Sequence, residues 1–131
     1  MKRYLLVIFA YLIVTYFSLA PSVSGGALSE IPNIDKIVHF CFYFGISFLS
    51  YISIHRKSYP AYRIYLMVLL VPIVFGGVIE LLQQYYFPPR SAEWADFAAD
   101  VLGSLFGYWF GRLLVFRCKK LFGKNKRVSD R

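Results

Sequence analysis

Residues 96–116 read DFAADVLGSLFGYWFGRLLVF. After Asp100 only Arg112 interrupts the apolar run, and a membrane-crossing helix needs about 20 such residues. Asp96, Asp100, Gly103, Gly107 and Gly111 recur at intervals of 4, 3, 4 and 4. A rotation of about 100° per residue gathers all five within an arc of about 80°. One helix face therefore carries two carboxylates above a groove of glycines. Glycines four apart let a second helix approach closely. Any polar end on that second helix is then drawn toward Asp96 and Asp100.

Three more apolar runs precede this one: Tyr4–Ala20, Ile37–Ile54 and Ile64–Leu82, with Phe97–Phe116 as the fourth. The chain of 131 residues is 58% hydrophobic and 20% aromatic, against about 45–50% apolar in an ordinary soluble domain. The expected fold is all-α: a single domain forming an integral-membrane four-helix bundle, with a basic tail over 117–131. Met1-Lys2-Arg3 before the first run resembles the start of a secretory leader. Pro21 after Ser18-Leu19-Ala20 spoils the cleavage site, so the first run is read as an uncleaved anchor.

The net charge of +8 reads as membrane topology rather than nucleic-acid binding, because the cations sit between and beyond the apolar runs. Lys2, Arg3, Arg56, Lys57, Arg63 and the eight cations from Arg112 to Arg131 lie on one side, opposite Lys36 and Arg90. The positive-inside rule then puts both termini in the cytoplasm. Six of the seven acids, Glu30, Asp35, Glu80, Glu93, Asp96 and Asp100, fall on the outer side. The topology rule does not require that, so the acids need their own explanation.

Asp35 and His39 are four residues apart and share a helix face. The pair fits a helix-start acid above a satisfied histidine, the reading that spacing alone favours, or acid–base work or metal binding. Glu80 lies about a turn inside its span, where a charge is retained when it pairs or functions. Gln83 and Gln84 flank it. Arg90 suits bidentate contact with phosphate or carboxylate, or neutralisation of Glu93 or Asp96. His39, Glu80, Asp96 and Asp100 together offer one nitrogen and several oxygens to a divalent ion, although no close-spaced metal motif such as HExxH is present. No other cofactor is expected. Pro72 and Gly76-Gly77 interrupt the third run, and Phe87-Pro88-Pro89-Arg90 breaks the helix after it. Trp94 and Tyr85-Tyr86 suit an interfacial aromatic belt. Cys41 and Cys118 fall at different depths, so no disulfide is expected. The tail is suited to anionic lipid.

In chain order, Asp35-Lys36-xx-His39-Phe40-xx-Tyr43, Glu80-xx-Gln83 and Arg90-Ser91-xxxx-Asp96-xxx-Asp100-xx-Gly103-xxx-Gly107 resemble the VanZ-like family of bacterial membrane proteins. The likeness runs from about Asp35 to Gly111. Asp100 stands where that family often has Asn, which adds an acid to the site. The resemblance implies functional roles for Asp35, Lys36, His39, Tyr43, Gln83, Glu80, Arg90, Asp96 and Asp100. It also implies a cell-envelope setting in the bacterial inner membrane and an association with glycopeptide resistance, teicoplanin in particular. It supplies no chemistry.

Three functions fit these residues. The first is binding of an amphiphile, such as an envelope lipid, a lipid-linked wall precursor or a lipoglycopeptide, at the outer leaflet. The second is an enzyme acting on a lipid headgroup, with Asp35, His39 and Glu80 as acid–base residues. The third is a small proton-coupled transporter built on Glu80, which would require a homodimer.

Overall fold

The computed structural model describes residues 2–20, 33–55, 59–86 and 92–129, with side chains from Tyr4 to Lys120. Among the described residues are four helices: α1 (Lys2–Leu19), α2 (Ile34–Ile54), α3 (Ala61–Tyr86) and α4 (Trp94–Ser129). Helices α2, α3 and α4 are long and apolar enough to cross a membrane. Helix α1 contributes a shorter apolar stretch, Tyr4–Leu19, bounded by Lys2-Arg3 and Pro21.

Helices α2, α3 and α4 run beyond their expected spans, and at the starts of α2 and α3 a local turn sets the extension. Asn33 adopts φ 60 and starts α2 at Ile34 instead of Ile37; asparagine is among the few residues that tolerate this left-handed conformation. The carbonyl of Pro60 accepts the amide of Arg63 at 3.0 Å and so starts α3 at Ala61. Helix α4 runs 36 residues, about 54 Å at 1.5 Å per residue, well beyond a hydrocarbon core of about 30 Å. The stretch read as a basic tail thus continues the helix as far as Ser129.

Pro72 and Gly76-Gly77 do not break α3. The backbone instead widens into a π turn over Leu66–Leu70, with the Val71 amide donating to the Leu66 carbonyl. Pro72 has no amide to give the carbonyl of Val68, four residues back. The Ser47 hydroxyl of α2 donates to that carbonyl at 2.8 Å. Leaving such a buried acceptor unpaired costs about 1–3 kcal/mol.

The glycine face of α4 packs on α2. A Cβ on Gly103 would overlap the carbonyl oxygen of Phe40, and one on Gly107 that of Phe44. Four residues along α2 match four along α4, so these helices run parallel. Helix α3 opposes them: His39, Tyr43 and Ser47 of α2 meet Glu80, Phe75 and Val68 of α3, in descending order. Helix α1 runs with α3, through Tyr11 against Phe75 and Ser18 against Gln83. The bundle therefore alternates up and down.

Burial is inverted relative to a water-soluble protein. Outward faces expose Leu5, Phe9, Leu12, Leu70, Phe106 and Trp109, an apolar surface suited to lipid. The buried set includes Ser47, Ser50 and Ser104 as well as His39, Glu80, Gln83, Asp96 and Asp100. Cys41 and Cys118 are free thiols.

The same substitution at two glycines tests the helix contact. Gly107→Ala drives a methyl into backbone, whereas the space around a Cβ on Gly45 is open within 4 Å. Gly107→Ala is expected to lower the melting temperature of purified protein by several degrees. Gly45→Ala is expected to leave it unchanged or raise it slightly, since alanine is the better helix former by about 1 kcal/mol.

Candidate functional site

Up-down alternation brings the start of α2, the end of α3, the start of α4 and the end of α1 to one end of the bundle. His39 sits one residue before the Phe40 contact with Gly103, and Asp100 three residues before Gly103 on the partner helix. The glycine register thus sets imidazole beside carboxylate. His39 Nδ1 lies 2.9 Å from Asp100 Oδ1 and 3.6 Å from Glu80 Oε1. All three residues are buried, Asp100 completely. Gly76 makes room for this arrangement: a Cβ there would lie 2.6 Å from Asp100 Oδ2 and 3.2 Å from the Tyr43 ring. Tyr43 stacks on His39 with ring centroids 6.5 Å apart.

The imidazole's hydrogen bond goes to Asp100 and not to Asp35. Asp35 is exposed at the first turn of α2, while its neighbour four residues on points inward. It still brings a carboxylate oxygen within 4.8 Å of ligand atoms of His39 and Asp96.

A second layer ties the helix ends together. Lys36 Nζ reaches Glu93 Oε2 at 2.8 Å and Asp96 Oδ1 at 3.2 Å. The Glu93 amide donates to Glu80 Oε2 at 3.1 Å, and the Glu93 carbonyl accepts the amides of Asp96 and Phe97 at the first turn of α4. Gln83 donates from Nε2 to the Ser18 carbonyl at 2.8 Å, fastening α3 to α1. Glu93 joins three parts of the cluster, a role that no helical spacing could reveal because it precedes α4. Its place three residues before Asp96, at a helix start, was the available signal. Arg90 lies outside the described residues.

Several buried atoms are left over. Among the described residues no hydrogen-bond partner reaches Glu80 Oε1, Asp100 Oδ2 or the Tyr43 hydroxyl. Native interiors rarely leave such atoms unpaired. Beside them runs a cleft of about 460 Å³ between α3 and α4, walled by Val74, Val78, Leu81 and Phe97 with Glu80 and Glu93 along it. Val74, Val78 and Leu81 are each about half exposed, so the cleft is open on the lipid-facing side.

An inside-out helical bundle with a buried acid–histidine cluster at one end defines a multi-span membrane protein. The VanZ/LLP1 family model matches residues 2–116, and the chain belongs to that family. No curated protein matches the chain, and no solved structure does.

Lys36 holds the Glu93 carboxyl below the usual glutamate range. A depressed carboxyl contributes its pairing fully above its ordinary value, and loses it as pH falls through the lowered one. Lys36→Met is expected to return the Glu93 carboxyl upward, read by its side-chain carbon shift in a pH titration. Melting temperature should then depend less on pH in the acid range than in the wild type.

Proposed function

We propose that this protein binds an amphiphile of the bacterial cell envelope at the outer leaflet of the cytoplasmic membrane. The observation that carries this reading is the α3–α4 cleft, whose apolar walls lead to Glu80 of the buried cluster. An acyl or prenyl portion lies along Val74, Val78, Leu81 and Phe97, and the polar headgroup meets Glu80, Glu93 and Lys36. Candidate ligands are a lipid, a lipid-linked wall precursor and a lipoglycopeptide. Binding such molecules is the route by which the protein contributes to tolerance of teicoplanin-type antibiotics. Pockets of several hundred Å³ with few polar groups are typical small-molecule sites.

The orientation belongs to the same proposal. By their place in the sequence, thirteen of the fifteen cations fall at span ends or loops assigned to the side opposite the cluster, which supports cytoplasmic termini, an outer-facing site and α1 as a fourth crossing. Alkaline phosphatase fused after Gly26 or Ser91 is expected to be active, and after Ser58 or Arg131 inactive. The reverse pattern overturns the orientation.

One observation favours a second reading, in which the bound headgroup is also transformed. His39 Nδ1 is engaged by Asp100, with a further carboxylate of Glu80 3.6 Å away, an arrangement suited to proton transfer. A single experiment separates the two readings. Purified protein is incubated with total bacterial lipid extract, or with teicoplanin, and analysed by native mass spectrometry. Saturable adducts are expected, reduced at least about tenfold by Val78→Trp, which fills the cleft. Altered lipid products formed by wild type but not by His39→Ala would assign catalysis. Absence of saturable adducts with either probe removes the amphiphile reading.

A further inference from the structure

We infer that His39, Glu80 and Asp100 form a binding site for a divalent first-row transition ion. One ligand atom from each lies within 4.8 Å of the other two, and all three residues are buried. Lys36 pairs with Glu93 and Asp96, so among the described residues the imidazole is the one cationic or potentially cationic group against Glu80 and Asp100, and Glu80 Oε2 has besides it only the Glu93 amide. Buried charges must be paired or coordinate metal. Two carboxylates and one neutral imidazole match a divalent ion in charge.

The orphaned atoms point the same way. Glu80 is 5% exposed and Asp100 0% exposed, yet among the described residues no hydrogen-bond partner reaches Glu80 Oε1 or Asp100 Oδ2. Glu80 Oε1 faces His39 Nδ1 at 3.6 Å, too long for a hydrogen bond, whose N···O distance is about 2.7–3.2 Å. Donors about 2.0–2.2 Å from a shared ion lie about 2.8–3.6 Å apart at right or tetrahedral angles. The two separations measured from Nδ1, 2.9 and 3.6 Å, fit that range within a few tenths of an ångström.

The donor set selects the metal. A ring nitrogen with two carboxylates suits Zn²⁺, Mn²⁺ or Fe²⁺, whereas Mg²⁺ and Ca²⁺ prefer all-oxygen shells. Three protein ligands leave a coordination position open. Glu80 also lines the α3–α4 cleft, so an open position there would be available to a headgroup oxygen. Asp35 and Asp96 each bring a carboxylate oxygen within 4.8 Å of a ligand atom of His39; carboxylates of this kind orient metal-bound imidazoles. The site goes beyond the amphiphile reading and does not depend on it.

The test uses the full chain purified in detergent without chelator. Elemental analysis is expected to find about one Zn²⁺, Mn²⁺ or Fe²⁺ per chain, consistent with a single three-donor site. EDTA should lower the melting temperature by several degrees, with recovery on Zn²⁺ or Mn²⁺ but not Mg²⁺ or Ca²⁺. Asp100→Asn and Glu80→Gln should weaken binding at least about tenfold, and Gly45→Ala should bind like wild type. Cobalt(II) added to stripped wild type should give visible d–d bands of a nitrogen–oxygen ligand set, a readout that needs no variant. Stripped wild type that shows no thermal shift with any of these ions, and no cobalt bands, overturns the site; so do variants that bind as wild type does. Lipid and teicoplanin adducts recorded before and after EDTA keep the proposals apart. Adducts on a protein that takes up no metal refute the ion alone, and metal without adducts refutes the amphiphile alone.

Discussion

The approach of α2 to α4 is the constraint on which the rest depends. The carbonyls of Phe40 and Phe44 occupy the space that side chains on Gly103 and Gly107 would need. In lipid, apolar side chains gain little by leaving the solvent for one another, so close packing and polar contacts must hold helices together. Glycine supplies the packing. It also locks the register, since a carbonyl seated over one glycine cannot slide along the groove without meeting the side chains between.

That register is what pairs His39 with Asp100. The two are 61 residues apart in the chain, but each stands just before a point of backbone contact. Helix α3 completes the group from the opposite direction, and Gly76 keeps its own backbone clear of Asp100 and Tyr43. The Lys36 ammonium joins α2 to Glu93 and to the first turn of α4. A serine supplements the same design lower in the bundle: Ser47 satisfies the carbonyl released by Pro72, so α3 tolerates proline by widening into a π turn.

The sequence made the helices and the glycine face legible, because both depend on hydropathy and on the rotation per residue. It showed only part of the surroundings of His39. Spacing suggests Asp35 as the partner, since only neighbours on one helix are visible in one dimension. The imidazole instead turns inward to Asp100, and Asp35 stays at the exposed rim. Glu93 as a linker lay beyond helical periodicity for a related reason: its carboxylate, amide and carbonyl each serve a different partner, and only its place at a helix start hinted at the role. Gly76-Gly77 interrupt the apolar run without interrupting the helix. Those glycines make room for neighbouring groups, Asp100 and Tyr43 at Gly76 and Phe97 at Gly77, while the backbone remains helical.

The parallel pairing of α2 with α4 has a consequence for biogenesis. The ribosome delivers His39 and then Glu80 before Asp100 exists. Both must enter the bilayer without their eventual neighbour, and a lone ionisable group in a membrane carries a cost of a few kcal/mol near the centre that falls toward the interface. Their position near the helix ends keeps that cost low during the interval. Helix α4 arrives last, bringing the glycine groove and both aspartates together. A nascent chain truncated before Gly103 would therefore be threaded but unassembled, and the final twenty or so apolar residues act as the closing piece of the bundle.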